Sequence, residues 1–232
     1  MKILVIGAHP DDIEIFMYGT IAACSERGDT IINCVATDGS AGGIKKGKEL
    51  ANLRIAETIN GLNEFGKPVF LGFEDGKLSQ AKNSQIIIDN LFERVNPDFI
   101  ITHDPCDYHP DHRELSRLVS KGAGFNCPVF FCDTLMGVNF TPDYYVDVTA
   151  FFESKRQAIL CHKSQSPTKF VEAAEIMNRY RAAQCNLPNK NFVEAFRVNN
   201  SFPFTDLRNL LPPAPKLRSF YKNSKHSMIW LT

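Results

Sequence analysis

Gly7-Ala8-His9-Pro10-Asp11-Asp12-Ile13-Glu14 follows the apolar run Ile3-Leu4-Val5-Ile6 and precedes a stretch, residues 13–28, with helical spacing of its apolar positions. The run reads as a strand buried on both faces, which puts the polar octet in a strand-to-helix turn. In open α/β sheets, ligands bind at such turns. His9 and Asp12, three apart in a tight turn, can converge on one point, while Asp11 between them points elsewhere and is free for a second task. A histidine and two carboxylates crowded at the end of a buried strand need a partner for their charge, and a divalent metal supplies one.

Working outward, strand and helix signals alternate. Strands are expected at 2–7, 30–37, 68–71, 98–102 and 128–132, with helices at 13–28, 49–62, 83–95 and 113–121 between them. A shorter strand at 144–148, helices at 149–162 and 170–185 and a strand at 191–198 read as an addition on the same core. The fold class is therefore α/β: a Rossmann-like open, mostly parallel sheet with helices on both faces and a C-terminal α/β addition. Right-handed crossovers place the first and fourth strands side by side, so the loops that follow them face each other where the winding direction reverses. The loop Asp38-Gly39-Ser40-Ala41-Gly42-Gly43 lacks both the GxGxxG spacing and the GK[ST] ending, and is a weak phosphate cradle.

With 232 residues and 44% hydrophobic content, the chain can bury a substantial core. One domain is expected over 1–200, followed by an irregular tail at 201–232 that carries Lys216, Arg218, Lys222 and Lys225 among aromatics. Lys+Arg and Asp+Glu both total 26, which leaves no basic excess for nucleic acid or an anionic membrane. No leader pattern and no run of transmembrane length is present, so a soluble cytoplasmic protein is expected; a homo-oligomer stays open. The seven cysteines form no CxxC pair and read as buried free thiols, with Cys106, in a polar loop, as a minor candidate ligand.

His103, His109 and His112 lie within one ten-residue loop after the fourth strand. In His109-Pro110-Asp111-His112 the two histidines stand three apart at a helix start, so only one of them need ligate a metal. The minimum set is His9, Asp12 and His112, three ligands of mixed nitrogen and oxygen type with a position left for water, the pattern of a catalytic zinc. A structural zinc would call for a fourth protein ligand and regularly spaced cysteines, and a two-metal centre would call for bridging carboxylates. One zinc per chain is expected, with another divalent metal as the variant. As a mere helix-dipole partner Asp11 would contribute about 0.3–1 kcal/mol, and that role does not call for two adjacent aspartates beside a histidine.

His9-Pro10-Asp11-Asp12-Ile13-Glu14 together with His109-Pro110-Asp111-His112 resembles the PIG-L/LmbE family of zinc-dependent de-N-acetylases, which act on N-acetylglucosamine-type conjugates. Thr37-Asp38-Gly39, Leu53-Arg54 with Glu57, Asp75-Gly76 with Leu78, Lys155 through Ala158 to His162-Lys163-Ser164-Gln165, and Glu194-Ala195-Phe196 resemble further family positions in the same order, over roughly residues 1–198. The resemblance implies zinc at His9, Asp12 and His112, with Asp11 as general base. It also implies a protonated His109, held by Asp111, facing the oxyanion. Arg54, Asp75 and His162 are the expected substrate contacts. Ser40 stands where many members carry an acidic residue, which leaves the sugar's hydroxyl contacts unassigned.

The leading expectation is hydrolytic release of acetyl from an N-acetylated amino sugar. The alternatives are a metal-loaded sugar-binding protein without turnover and, less favoured because ligands for a second metal are scarce, a phosphoester hydrolase.

Overall fold

The computed structural model describes residues 1–43, 46–200, 207 and 209–216. Its strands are β1 (Lys2–Gly7), β2 (Thr30–Thr37), β3 (Val69–Phe73), β4 (Phe99–Thr102), β5 (Val129–Cys132), β6 (Tyr144–Asp147) and β7 (Val193–Val198). They form one sheet in the order β3-β2-β1-β4-β5-β7-β6. The first five run parallel, and β7 pairs antiparallel with both β5 and β6, so the C-terminal addition extends the sheet at one edge. β1 and β4 are neighbours, with Ile3, Leu4 and Val5 opposite Phe99, Ile100 and Ile101, as the crossover argument requires.

Side chains alternate across a strand, so a sheet covered on both faces needs an apolar residue at nearly every position. In β1, Ile3 and Val5 enter one core layer and Leu4 and Ile6 the other. Helices α1 (Asp12–Phe16), α2 (Tyr18–Glu26), α6 (Phe152–Leu160) and α7 (Thr168–Gln184) supply the first layer through Ile13, Ile21, Ile159 and Val171. Helices α4 (Ser84–Val95) and α5 (Pro110–Ala123) supply the second through Leu91 and Leu115. The remaining helix, α3 (Lys48–Gly61), leads from the second loop toward β3.

Where one helix was expected over 13–28 there are two, separated at Met17. The cause is a carboxylate inserted into the helical ladder: Glu194 of β7 accepts from Gly19 N at 2.9 Å and Thr20 N at 2.8 Å, and it pairs with the buried Lys155 Nζ at 2.7 Å. Gly19 is needed for this approach, since a Cβ there would lie 2.5 Å from Val148. Most of the tail expected over 201–232, including Arg218, Lys222 and Lys225, lies outside the described residues, but Leu207 and Leu211 are buried in the first core layer.

Candidate active site

β1 delivers its turn into the centre of the sheet, and hydrogen bonds from both neighbouring strands fix it there. Thr37 Oγ1 of β2 donates to Ala8 O at 2.8 Å and Thr102 Oγ1 of β4 to Ile6 O at 2.9 Å. Past Pro10 the chain bends sharply, with Asp11 at φ +120° and ψ −22°, a region that costs an L residue about 1–3 kcal/mol. Arg54 of α3 holds the bend: its Nη2 donates to Pro10 O at 2.6 Å and to Asp11 Oδ2 at 3.1 Å, and its Nη1 to Gly39 O at 3.0 Å.

The bend points Asp12 away from Asp11 and toward two imidazoles. His9 Nδ1 lies 3.1 Å from His112 Nε2, and Asp12 Oδ2 lies 3.3 Å from each of those nitrogens. Tetrahedral zinc ligands at roughly 2.0–2.1 Å stand about 3.3–3.4 Å from one another, so this near-equilateral triangle fits one divalent ion. The atoms are two borderline nitrogens and one hard oxygen, the donor set of a catalytic rather than a structural zinc. Behind the triangle, His9 Nε2 faces Asp75 Oδ1 at 3.3 Å and Asp111 Oδ2 at 3.4 Å, which favours its proton on Nε2 and leaves Nδ1 as the donor toward a metal.

Two residues to which the sequence assigned no role, Asp107 and the clustered His103, support the triangle. Asp107 Oδ2 lies 3.2 Å from His112 Nδ1, off the line of a formed hydrogen bond, and its Oδ1 accepts from His109 N at 2.8 Å. His103 stacks on His112 with centroids 3.7 Å apart and planes 14° from parallel, and its Nε2 is 3.0 Å from Asp12 Oδ2. The clustering of three histidines and Asp107 in one short loop was the available sign. Cys106 is exposed and belongs to none of the metal-competent clusters among the described residues.

Two expectations, for His109 and His162, need correction. His109 is not held as a cation by the Asp111 carboxylate. As the N-cap of α5 it accepts a hydrogen bond from Asp111 N at its Nδ1, 3.2 Å away, while the Asp111 carboxylate accepts from Gly76 N at 2.7 Å and Leu78 N at 3.2 Å. With Nδ1 accepting from the backbone, Nε2 is the ring nitrogen left to carry the proton, and burial, then His9 and His112, lower the His109 pKa. Arg54, expected as a substrate contact, lines the cavity with one edge while its guanidinium is buried and engaged with the first loop. His162 does not reach the cavity: it is buried beneath α1 with its Nε2 2.8 Å from Glu14 Oε1, and Gln165 of the same segment lines the cavity instead. Asp75 does line it.

The cavity, about 160 Å³, is lined by His9, Asp11, Asp12, Arg54, Asp75 and His109 together with apolar side chains that include Phe16, Leu135 and Phe170. A larger one of about 590 Å³ lies between α4 and α5, beside Pro97 and Cys127 at the amino ends of β4 and β5, away from these groups. Burial raises the Asp11 carboxyl to about 6, against the pull of Arg54 and with help from Asp12. Burial also works against charge on Asp12, yet His112, His103 and His9 hold it well below the usual carboxylate range. On His112, burial opposes a proton but Asp12 and Asp107 outweigh it and raise the imidazole to about 9. Without a metal, the triangle is a carboxylate sharing protons with imidazoles, a charge balance that a dication would take over.

An open α/β sheet with a His–Asp–His cluster and a neighbouring carboxylate at its switch point is the arrangement of a metal-dependent α/β enzyme. The chain belongs to the family described as PIG-L: GlcNAc-PI de-N-acetylase, whose profile matches residues 4–122. It is 30% identical over 196 residues to the diacetylchitobiose deacetylase of Thermococcus kodakarensis, covering 75% of this chain and 73% of that protein. It superposes on the N,N'-diacetylchitobiose deacetylase of Pyrococcus horikoshii with a TM-score of 0.77 at 26% identity, over 89% of this chain and 88% of that one. It also superposes on GalB, the 4-carboxy-2-hydroxymuconate hydratase of Pseudomonas putida, with a TM-score of 0.73 at 21% identity, over 88% of this chain and 98% of that one, a likeness of fold alone. The fold class expected from the sequence is the one observed. No helix among the described residues is long and apolar enough to cross a membrane.

Proposed function

We propose that the chain removes the acetyl group from an N-acetylated amino-sugar conjugate, with one zinc ion held by His9, Asp12 and His112. The observation that carries this reading is the donor triangle with edges of 3.1, 3.3 and 3.3 Å, beside which a strained Asp11 faces the same cavity without joining the ligands. When bound, such an ion supplies Lewis acidity that activates water at neutral pH and polarises the acetamide carbonyl.

The chain's own residues do the rest. Asp11, with its carboxyl near 6, is a base matched to neutral pH: it takes the proton of the attacking water and returns it to the departing amine. Arg54 fixes that carboxylate through Nη2, so its reach is set before substrate arrives. His109, neutral and carrying its proton on Nε2, donates to the oxygen that becomes negative as the carbonyl is attacked. The helix N-terminus under His109 disfavours a cation there, which keeps the imidazole a donor without charge.

A sugar-binding protein without turnover has no use for a strained base beside its metal, and the deacetylase names of the relatives point the same way. The test is to load the protein with zinc, offer N-acetylglucosamine, its glycosides and diacetylchitobiose, and read free acetate and free amine. Equimolar release that disappears on chelation supports the reading; binding without release contradicts it.

A further inference from the structure

We infer that the catalytic cavity continues into an apolar trough along α7 that receives a neutral, apolar aglycone of the substrate, an inference that rests on the amino-sugar reading above. The catalytic cavity, at about 160 Å³, falls short of the roughly 300–1,000 Å³ of small-molecule sites, so a conjugate must extend beyond it. Beside it is a second cavity of about 250 Å³, walled by Met136 and Gly137 of one turn and by Ile176, Met177 and Tyr180 of α7.

The two are joined by sequence and by helix geometry. Leu135 and Phe170 line the catalytic cavity. Leu135 is bonded to Met136, and Phe170 lies two turns before Met177 on one face of α7, about 10 Å along its axis at ~1.5 Å per residue. Met136, Ile176 and Tyr180 are 53%, 56% and 56% exposed, and large apolar side chains gathered in one exposed patch mark a binding surface. The turn is held in place: Met136 takes the left-handed conformation, φ 58° and ψ 20°, with its N–H on Met177 Sδ at 3.2 Å, and Thr134 Oγ1 donates to Val138 O at 2.6 Å.

Charge decides what the trough accepts. Its two ionised groups, Asp133 and Arg181, are spent on each other in a bidentate pair of 2.5 and 3.0 Å. Among the described lining residues no charge is left for a phosphate or carboxylate, so the occupant is neutral, an alkyl or aryl group carried by the amino sugar.

The experiment uses methyl, butyl and octyl β-N-acetylglucosaminides with the zinc-loaded full chain, reading acetate release and, by calorimetry, binding. From methyl to octyl, KM should fall by roughly tenfold or more at constant kcat, each buried CH₂ adding to affinity. The double variant Met136→Ser, Ile176→Ser should lose that dependence while turning over the methyl glycoside at the wild-type rate. Equal binding of methyl and octyl glycosides by the wild type, or an unchanged preference in the double variant, overturns the trough. So does a double variant whose mass by light scattering is half that of the wild type, because the face would then be a subunit interface. Failure of every glycoside to release acetate refutes the amino-sugar reading instead, and the calorimetric preference for octyl still reads the trough.

Discussion

Asp107→Asn isolates the support of the metal centre from its ligands. The new side-chain amide would keep an oxygen for the His109 N–H that Asp107 Oδ1 accepts at 2.8 Å, and would lose only the negative charge 3.2 Å from His112 Nδ1. That charge favours the His112 tautomer with its proton on Nδ1 and the Nε2 lone pair aimed into the triangle. Both residues are buried, with Asp107 3% exposed, so water does not replace the lost anion. Removing such an outer carboxylate costs about 10–100-fold in metal affinity, or roughly 1.4–2.7 kcal/mol. A chelator-competition titration should show the weakened affinity, while the melting temperature of the zinc-saturated protein stays near that of the wild type and turnover returns at saturating zinc. An unchanged affinity would mean that the His112 orientation is set by its stacking on His103, and the role given to Asp107 would be wrong.

Metal affinity should depend steeply on pH. Asp12 and Asp107 raise His112 to about 9, Asp12, Asp111 and Asp75 also raise His9 well above its ordinary range, and both ligand imidazoles must be neutral, so affinity should climb by at least about tenfold per pH unit below about 9. In the metal-free fold the sign is opposite: the raised pKa adds stability that is fully present below about 6.5 and lost as pH rises through about 9. A flat affinity across that window would contradict the proton-sharing triangle. His109→Ala should keep its metal and lose roughly 10²–10³ in turnover, the scale for one oxyanion donor, with the pH profile unchanged in shape because the lost group is neutral; a missing basic limb would show that it is a cation after all. Gly42→Ala should bring a Cβ to within 2.3 Å of Arg54 Nη1, displacing the guanidinium that holds Asp11; turnover should fall by roughly 10²-fold with metal content intact, and wild-type turnover would contradict the clamp.

The pattern of apolar runs and turns was enough to place β1 beside β4 and the two histidine loops face to face, because buried parallel strands and right-handed crossovers leave few alternatives. His9, Asp12 and His112 were legible as a set for the same reason: residue type and spacing at two strand ends. Directions of side chains were not legible. Arg54 reads from sequence as a substrate contact, and only the bend at Asp11 explains why its guanidinium is also the clamp of the first loop. His162 was misplaced because its partner, Glu14, is 148 residues away, and the break at Met17 depends on Glu194, which belongs to the last strand. The partner of His109 turned on a local fact, that an N-cap imidazole accepts from the backbone, which residue spacing alone does not show.

Asp11→Asn tests the central claim most directly, with zinc content and acetate release measured on the same sample. The amide is nearly isosteric and cannot accept the water's proton, so full metal occupancy with turnover lowered by roughly 10²–10⁴ is expected. Wild-type acetate release from the variant would contradict the assignment of Asp11 as base, and loss of the metal would place Asp11 among the ligands, leaving the reaction as described here without its base.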